Sequence, residues 1–229
     1  MINEIKQRLL PDGRSNKPGK GMDPQWLTVH NTDNESAGAT AEAHSRFILN
    51  GSGGAQKSWH YTVDDKDIFQ HLRDTEQGWH AGDGNGMGNS RSIGIEICMY
   101  KGIDEQAAWH NAAWLIARLA KKYNIPLQRI VPHKHWTGKN CPSRILPHWS
   151  QLLNMIDREL ISLDKPQQPK PEPTTNDVTV IVDGKQIKDG ILVNNITYAP
   201  VRSIAEACGL QVGWNQAQKI VTLTKGARG

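Results

Sequence analysis

Residues 92–98, Ser-Ile-Gly-Ile-Glu-Ile-Cys, contain the strand pattern from which the fold is predicted. Side chains alternate between the two faces of a strand, so the three isoleucines share one face, which must be packed. Gly94, Glu96 and Cys98 then lie on the other face. A glutamate in the middle of such a strand is costly unless it is paired or lies in a cleft. Two interpretations remain open: an ion pair with a lysine or arginine, or a carboxylate that lines a functional cleft.

A second strand is predicted at residues 26–32, Trp-Leu-Thr-Val-His-Asn-Thr. Leu27 and Val29 fall on one face, and Thr28 and His30 fall on the other. His30 lies at the end of this strand, just before a polar loop. Because rigid scaffolds often present functional groups at strand ends, His30 is a candidate functional residue.

The pattern up to residue 163 mixes short strands with amphipathic helices. Helices are predicted at residues 2–10, 40–50, 104–123 and 147–162, and a hairpin at residues 59–72. This mixture predicts an α/β fold, with a mixed central sheet flanked by helices, over residues 1–163.

Residues 79–89 contain four glycines at alternating positions. A phosphate-binding loop needs a helix directly after its glycines. A strand is predicted to follow here instead, so nucleotide binding is not expected.

Residues 133–142, His-Lys-His-Trp-Thr-Gly-Lys-Asn-Cys-Pro, bring two histidines and a cysteine into one turn. Imidazole nitrogen and thiolate sulfur both suit zinc, and a catalytic zinc has three protein ligands and one open position. This segment can supply two ligands, and His30 is the natural candidate for the third. The alternative is structural, with a buried free cysteine and hydrogen-bonded histidines.

Composition limits the class of protein. The chain has 229 residues, a formal net charge of +4 and three scattered cysteines, which are too few for a disulfide framework. No apolar run approaches the roughly 18 residues of a membrane span, and the N-terminal residues lack the apolar core and cleavage site of a secretory signal. We therefore expect a soluble protein. Its mildly basic charge would suit any anionic partner, and the partner we predict is neither a membrane nor a nucleic acid.

Five separated motifs occur in an order that resembles one family. They are Val-His-Asn-Thr at 29–32, Trp-His-Tyr at 59–61, Trp-His-Ala-Gly at 79–82, Asn89 with Ser-Ile-Gly-Ile-Glu at 92–96, and His133 with Trp-Thr-Gly-Lys-Asn-Cys-Pro at 136–142. The family is that of the zinc-dependent N-acetylmuramoyl-L-alanine amidases, which phage endolysins, bacterial autolysins and peptidoglycan recognition proteins share. The resemblance covers most of residues 22–160.

The resemblance implies that His30, His133 and Cys141 bind Zn²⁺. His135 is then a neighbour, because the family's histidine lies eight residues before the cysteine. The resemblance also implies that Glu96 is the general acid/base.

The implied reaction is hydrolysis of the amide between N-acetylmuramic acid and L-alanine by zinc-activated water. Glu96 would move the proton to the leaving amine, and Lys139, which matches the family's electropositive group, would stabilise the oxyanion. Many members have a tyrosine where this chain has Trp59, so more of the proton transfer falls on Glu96. His80, Asn89 and Trp59 are candidates for lining the substrate groove, each with a structural role as the alternative.

The C-terminal part predicts a second, small α+β domain. Residues 164–176 are rich in proline and predict a linker, and residues 177–229 predict a ββαββ-like unit. Val-Asp-Gly-Lys at 182–185, Tyr-Ala-Pro-Val-Arg-Ser-Ile-Ala-Glu-Ala at 198–207, Val-Gly-Trp-Asn at 212–215 and Ile-Val-Thr-Leu at 220–223 resemble the copper-amine-oxidase N-terminal-like module of Gram-positive cell-wall proteins. No histidine follows His148, so copper is not expected. We expect a cell-wall-targeting domain, with a passive spacer as the alternative.

The family and the apparent lack of an export signal indicate a bacteriolytic phage endolysin. Such a protein would accumulate in the host cytoplasm and degrade the peptidoglycan of a Gram-positive cell wall after release. A bacterial autolysin is one alternative. Two others are a non-catalytic peptidoglycan-binding module without the metal, and an enzyme in which His133 activates Cys141 as a nucleophile.

Overall fold

The computed structural model describes residues 4–164 and 176–225. The chain divides into two compact units, Met1–Lys165 and Pro166–Gly229. Residues 165–175, which make up most of the predicted linker, lie outside the described residues. Within the described ranges, every helix is too short or too polar to cross a membrane.

One six-stranded sheet forms the centre of the first unit. Its strands are β1 (Lys6–Gln7), β2 (Trp26–Asn31), β3 (Tyr61–Val63), β4 (Ile68–Gln70), β5 (Ser92–Ile97) and β6 (Ile130–Pro132). Their order across the sheet is β1-β4-β3-β5-β2-β6. The central strands β3, β5, β2 and β6 are parallel to one another, whereas β4 pairs antiparallel with β3. The sheet is therefore mixed, as predicted.

The described part of this unit contains five α-helices: α1 (Ala41–Leu49), α2 (Met87–Ser90), α3 (Glu105–Tyr123), α4 (Lys134–Thr137) and α5 (Trp149–Asp164). Side-chain caps explain where two of them begin. Thr40 accepts a hydrogen bond from the N–H of Ala43, and Asp104 accepts one from the N–H of Ala107. Each cap satisfies a backbone donor that the first turn of a helix leaves free.

The three isoleucines of β5 are fully buried, together with Leu27 and Val29 of β2. They belong to one apolar cluster with the inward stripe of α3 and with residues of α5, so these helices cover this face of the sheet. Burying each side chain of this size contributes about 1.5–3 kcal/mol. The opposite face, which carries His30 and Glu96, is thereby left to form the site. The predicted α/β fold is confirmed.

Two local predictions were wrong. Of the helix predicted at residues 2–10, the described residues 4–10 are not helical, because the backbone pairs with β4 instead: β1 lies parallel to it, and the N–H of Arg8 donates to the carbonyl of Gln70 at 2.9 Å. A strand also does not follow the glycines directly: the one-turn helix α2 contains the last of them, Gly88, and precedes β5. The carboxylate of Asp83 accepts from the N–H groups of Gly88 and Asn89 and so stabilises this turn.

The second unit is small and rich in strands. Its elements are β7 (Asn176–Val182), β8 (Lys185–Val193), β9 (Ile196–Tyr198), α6 (Val201–Ala207), β10 (Leu210–Asn215) and β11 (Ile220–Lys225). β7, β8 and β9 form one antiparallel sheet, and β10 and β11 form a hairpin. In the part of this unit that the structure describes, three strands precede the helix rather than the predicted two, but the unit is α+β as expected.

Candidate metal centre

The functional candidates meet at one edge of the sheet because of strand direction. His30 is the penultimate residue of β2, Glu96 is the penultimate residue of β5, and His133 follows directly after β6. These three strands are neighbours and run parallel, so their carboxyl ends lie side by side. Ligand sites in α/β sheets form at such ends. Residues about 100 positions apart in sequence are thereby brought together.

His30, His133 and Cys141 form a compact, buried cluster. One potential ligand atom from each lies within 4.8 Å of the others. The Nδ1 atoms of His30 and His133 are 3.0 Å apart, and the sulfur of Cys141 is 3.9 Å from Nδ1 of His30. The turn after α4 returns Cys141 to the site, since its carbonyl accepts the N–H of Lys134 at 2.9 Å. His135 lies outside the cluster and stacks on Trp26.

Two of the three donor-atom separations are close to those around a tetrahedral zinc ion. Zn–N bonds of about 2.0–2.1 Å and Zn–S bonds of about 2.3 Å, at tetrahedral angles, separate ligand atoms by about 3.3–3.6 Å. The two separations found here, 3.0 Å and 3.9 Å, lie on either side of that range. Two imidazoles and one thiol also leave the fourth position for water, as in catalytic zinc sites.

Burial controls the protonation of all three groups. It lowers the pKa of His30 and of His133, so both imidazoles are neutral near pH 7. Burial, with a smaller effect from Glu96, raises the pKa of Cys141 to about 12. Neutral imidazole is the form that binds a metal, whereas the thiol must first lose its proton.

Glu96 faces the cluster from β5. Its Oε1 lies 4.0 Å from Nδ1 of His30, while its Oε2 has no hydrogen-bond partner in the described part of the chain. The side chain is 15% exposed, and burial, reinforced by the charge of Asp33, raises its pKa to about 8. Among the described residues, no lysine or arginine pairs with it. The geometry therefore favours the interpretation that this carboxylate lines a cleft.

Lys139 lies at the rim of the same cleft, where its Nζ contacts Oδ2 of Asp33 at 3.0 Å. Burial alone would lower the pKa of Lys139, but the hydrogen bond and charge of Asp33 outweigh it and the pKa is raised. Both side chains are about half exposed, with accessible fractions of 54% and 43%. Sequence analysis did not identify Asp33, although its place in the polar loop after β2 is a usable signal.

The cleft has a volume of about 470 Å³, and His80, Asn89 and Trp59 all line it. Their polar atoms, however, are bonded within the protein. Oδ1 of Asn89 accepts the N–H groups of His80 and Ala81, both at 2.8 Å, and the indole N–H of Trp59 donates to Thr62 at 2.7 Å. These contacts support the walls of the cleft, and a role in binding substrate stays a prediction.

A second cavity of about 380 Å³ adjoins the cleft, and sequence analysis missed it. The two share several lining residues, among them Thr32, Asp33, Lys57 and Glu96. The second cavity extends to the half-exposed ring of Phe47. Glu96 thus borders both cavities. No spacing or motif in the sequence marked Phe47 or Lys57.

Comparison with known proteins identifies the family. The family model described as N-acetylmuramoyl-L-alanine amidase matches residues 20–144, which is more than half of the chain. The chain belongs to the N-acetylmuramoyl-L-alanine amidase family. A second model, described as the copper amine oxidase N-terminal domain, matches residues 174–228. Both resemblances inferred from the sequence motifs are confirmed.

Two amidases of Bacillus subtilis (strain 168) are similar to the first unit. CwlH is 52% identical over 153 residues, which are 66% of this chain and 60% of CwlH. XlyA is 51% identical over 149 residues, which are 65% of this chain and 49% of XlyA. This chain therefore spans about half to three-fifths of the length of these relatives.

The solved catalytic domain of XlyA has the same amidase fold. It superposes with a TM-score of 0.64 at 49% identity, over 67% of this chain and 99% of that domain. The superposed part of this chain thus matches almost the whole of the solved domain.

Proposed function

We propose that this protein is a zinc-dependent peptidoglycan hydrolase that cleaves the amide bond between N-acetylmuramic acid and L-alanine. The observation that carries the proposal is the cluster of His30, His133 and Cys141 facing Glu96 in one cleft. CwlH and XlyA are both named N-acetylmuramoyl-L-alanine amidases, which supports the assignment of this amide as the bond that is cut.

His30, His133 and Cys141 would hold the zinc ion. When bound, zinc would polarise the scissile carbonyl and lower the pKa of water towards about 7. The buried thiol of Cys141 must release its proton on binding the metal, so zinc affinity rises with pH.

Glu96 and Lys139 both line the cleft and would both act on the substrate. Glu96 lies within reach of a water molecule at the cluster. In its ionised form, its raised pKa of about 8 makes it a stronger proton acceptor than an ordinary carboxylate, so it would take a proton from that water and deliver it to the leaving amine. Lys139 carries a positive charge at the rim of the cleft and would stabilise the tetrahedral oxyanion.

The second unit would direct the enzyme to the wall of a Gram-positive bacterium. It matches the copper amine oxidase N-terminal domain, and its described residues contain no cluster of histidine, cysteine and acidic side chains that could hold a metal, which supports binding rather than chemistry. The partner of the whole chain would then be the intact cell wall.

The proposal is tested by measuring zinc content and the solubilisation of purified cell walls. One bound zinc, loss of activity with a chelator and recovery with added zinc are expected. Metal-free protein that binds walls without degrading them would instead indicate a binding module. Activity that resists the chelator but is lost on thiol alkylation would instead make Cys141 a nucleophile.

A further inference from the structure

We propose that His80 is a positioning residue for the metal centre, because it sets which ring nitrogen of His30 faces the metal. This inference rests on the proposed function, since it assumes that His30 is a ligand. It assigns to His80 a role different from contact with the substrate. His80 is only 8% exposed, and both of its ring nitrogens have partners inside the protein.

The hydrogen-bond partners determine the tautomers one after another. Nε2 of His80 lies 3.1 Å from the carbonyl oxygen of Ser92, and a carbonyl can only accept, so this nitrogen carries the proton. A neutral imidazole has a single N–H, so Nδ1 of His80 is an acceptor. Nε2 of His30 lies 3.1 Å from that acceptor and must donate to it. Nδ1 of His30 is then the unprotonated atom, and it is the atom that faces His133 and Cys141.

The residue after His80 gives His133 the same orientation. The carbonyl of Ala81 accepts from Nε2 of His133 at 2.8 Å, which leaves Nδ1 of His133 unprotonated. Two unprotonated nitrogens then face each other at 3.0 Å, an arrangement that a cation between them would stabilise. Asn89 holds both N–H groups of the His80–Ala81 segment, so one short segment orients both histidine ligands.

Gly94 explains how the ring of His80 fits against the sheet. Gly94 lies on the site face of β5, and a Cβ atom at this position would be 2.6 Å from Cγ of His80. Any larger residue would displace the ring from His30. The glycine in the Ile-Gly-Ile-Glu strand therefore leaves the space that the positioning residue occupies.

Two substitutions test the two ring nitrogens of His80 one at a time, because each keeps only one of the two hydrogen bonds. In His80→Asn, the amide oxygen falls near the position of Nδ1 and can still accept from His30. In His80→Gln, the longer amide reaches the position of Nε2 and keeps only the contact with Ser92. The two variants remove the same ring, so each controls for lost packing in the other.

The experiment measures zinc affinity by chelator competition, together with the ¹⁵N shifts of the histidines in metal-free protein. We expect His80→Gln to weaken zinc binding by about 10–100-fold and His80→Asn to stay closer to the wild type. Gly94→Ala, which displaces the ring without changing its chemistry, should also weaken zinc binding. In the wild type, His30 should be protonated at Nε2.

The inference is overturned if His80→Gln and His80→Asn bind zinc with the same affinity as each other. It is also overturned if His30 of the wild type is protonated at Nδ1. Should neither variant fold, the ¹⁵N result on the wild type decides alone. A wild-type protein that binds no zinc would contradict the proposed function, whereas zinc binding that is insensitive to His80 would remove only the positioning role.

Discussion

Glu96 lies directly opposite His30 in the parallel pairing of β5 with β2, and its Oε1 is 4.0 Å from Nδ1 of His30. The pairing register of two strands, and not the conformation of a loop, thus positions the proposed acid/base Glu96 beside the proposed ligand His30. Because side chains alternate along a strand, a slip of one residue would move either group to the packed face. The buried isoleucines of β5 prevent that slip, so core packing and site geometry depend on the same residues.

Replacement of Glu96 by glutamine tests its role in proton transfer. Glutamine keeps the size of the side chain but cannot accept the proton, so kcat should fall by about 10²–10⁴-fold while zinc content stays at the wild-type level. The melting temperature should not fall, because Oε2 of Glu96 has no hydrogen-bond partner among the described residues. Glu159→Gln on α5 is the matched control and should leave kcat unchanged. A Glu96→Gln variant with wild-type kcat would exclude Glu96 as the acid/base.

Lys139→Met tests the electropositive group. We expect kcat to fall by about 10²–10³-fold if Lys139 stabilises the oxyanion. The free energy of unfolding should change by less than about 1 kcal/mol, because Lys139 and Asp33 form a half-exposed ion pair. Asp33→Asn removes the same ion pair but keeps the lysine, so it should retain most of the activity. Equal losses of kcat in the two variants would show that activity depends on the ion pair and not on the charge of Lys139 itself.

The strand alternation at residues 26–31 and 92–97 could be predicted because each strand packs one apolar face on helices, which leaves a clear pattern of period two. The proposed ligands could be named because two of them share a short turn and the third ends a strand. β1 could not be predicted, since Lys6–Gln7 has no apolar pattern and depends on pairing with β4, about 60 residues away. The contact of His80 with His30 likewise spans 50 residues and leaves no spacing signal.

Asp74 should stabilise the first unit at neutral pH, away from the proposed site. Its carboxylate accepts hydrogen bonds from Tyr61, Gln70, Lys122 and Tyr123. Burial alone would raise the pKa of Asp74, but the hydrogen bonds of Tyr61, Lys122 and Tyr123 outweigh it and the pKa is lowered. A lowered pKa in the folded state means that this stabilisation is complete above the unfolded value of about 3.9 and is lost as pH falls through the folded value.

Asp74→Asn should therefore lower the free energy of unfolding at pH 7 by roughly 1–3 kcal/mol. The difference from the wild type should shrink as pH falls below about 3.9, as measured by denaturant unfolding across pH. Zinc affinity should not change, which separates this effect from damage to the site. If the difference in unfolding free energy between Asp74→Asn and the wild type stayed constant with pH, the charge of Asp74 would contribute nothing to stability.

Truncation after residue 165 tests the second unit. The first unit corresponds to almost all of the solved catalytic domain of XlyA, so it should fold, bind zinc and hydrolyse soluble wall fragments as the full chain does. Its binding to intact cell walls, measured by sedimentation, should be weaker. Equal sedimentation of the two proteins with walls would favour a passive spacer over a targeting domain.

The central claim is that the cleft hydrolyses one particular amide bond. Purified peptidoglycan should be digested with the full-length, zinc-loaded protein, and the new ends should be identified by chemical labelling and mass spectrometry. We predict new amino termini on L-alanine that increase as the wall dissolves, without new reducing sugars. New reducing ends, or new amino termini on any other residue of the stem peptide, would contradict the claim.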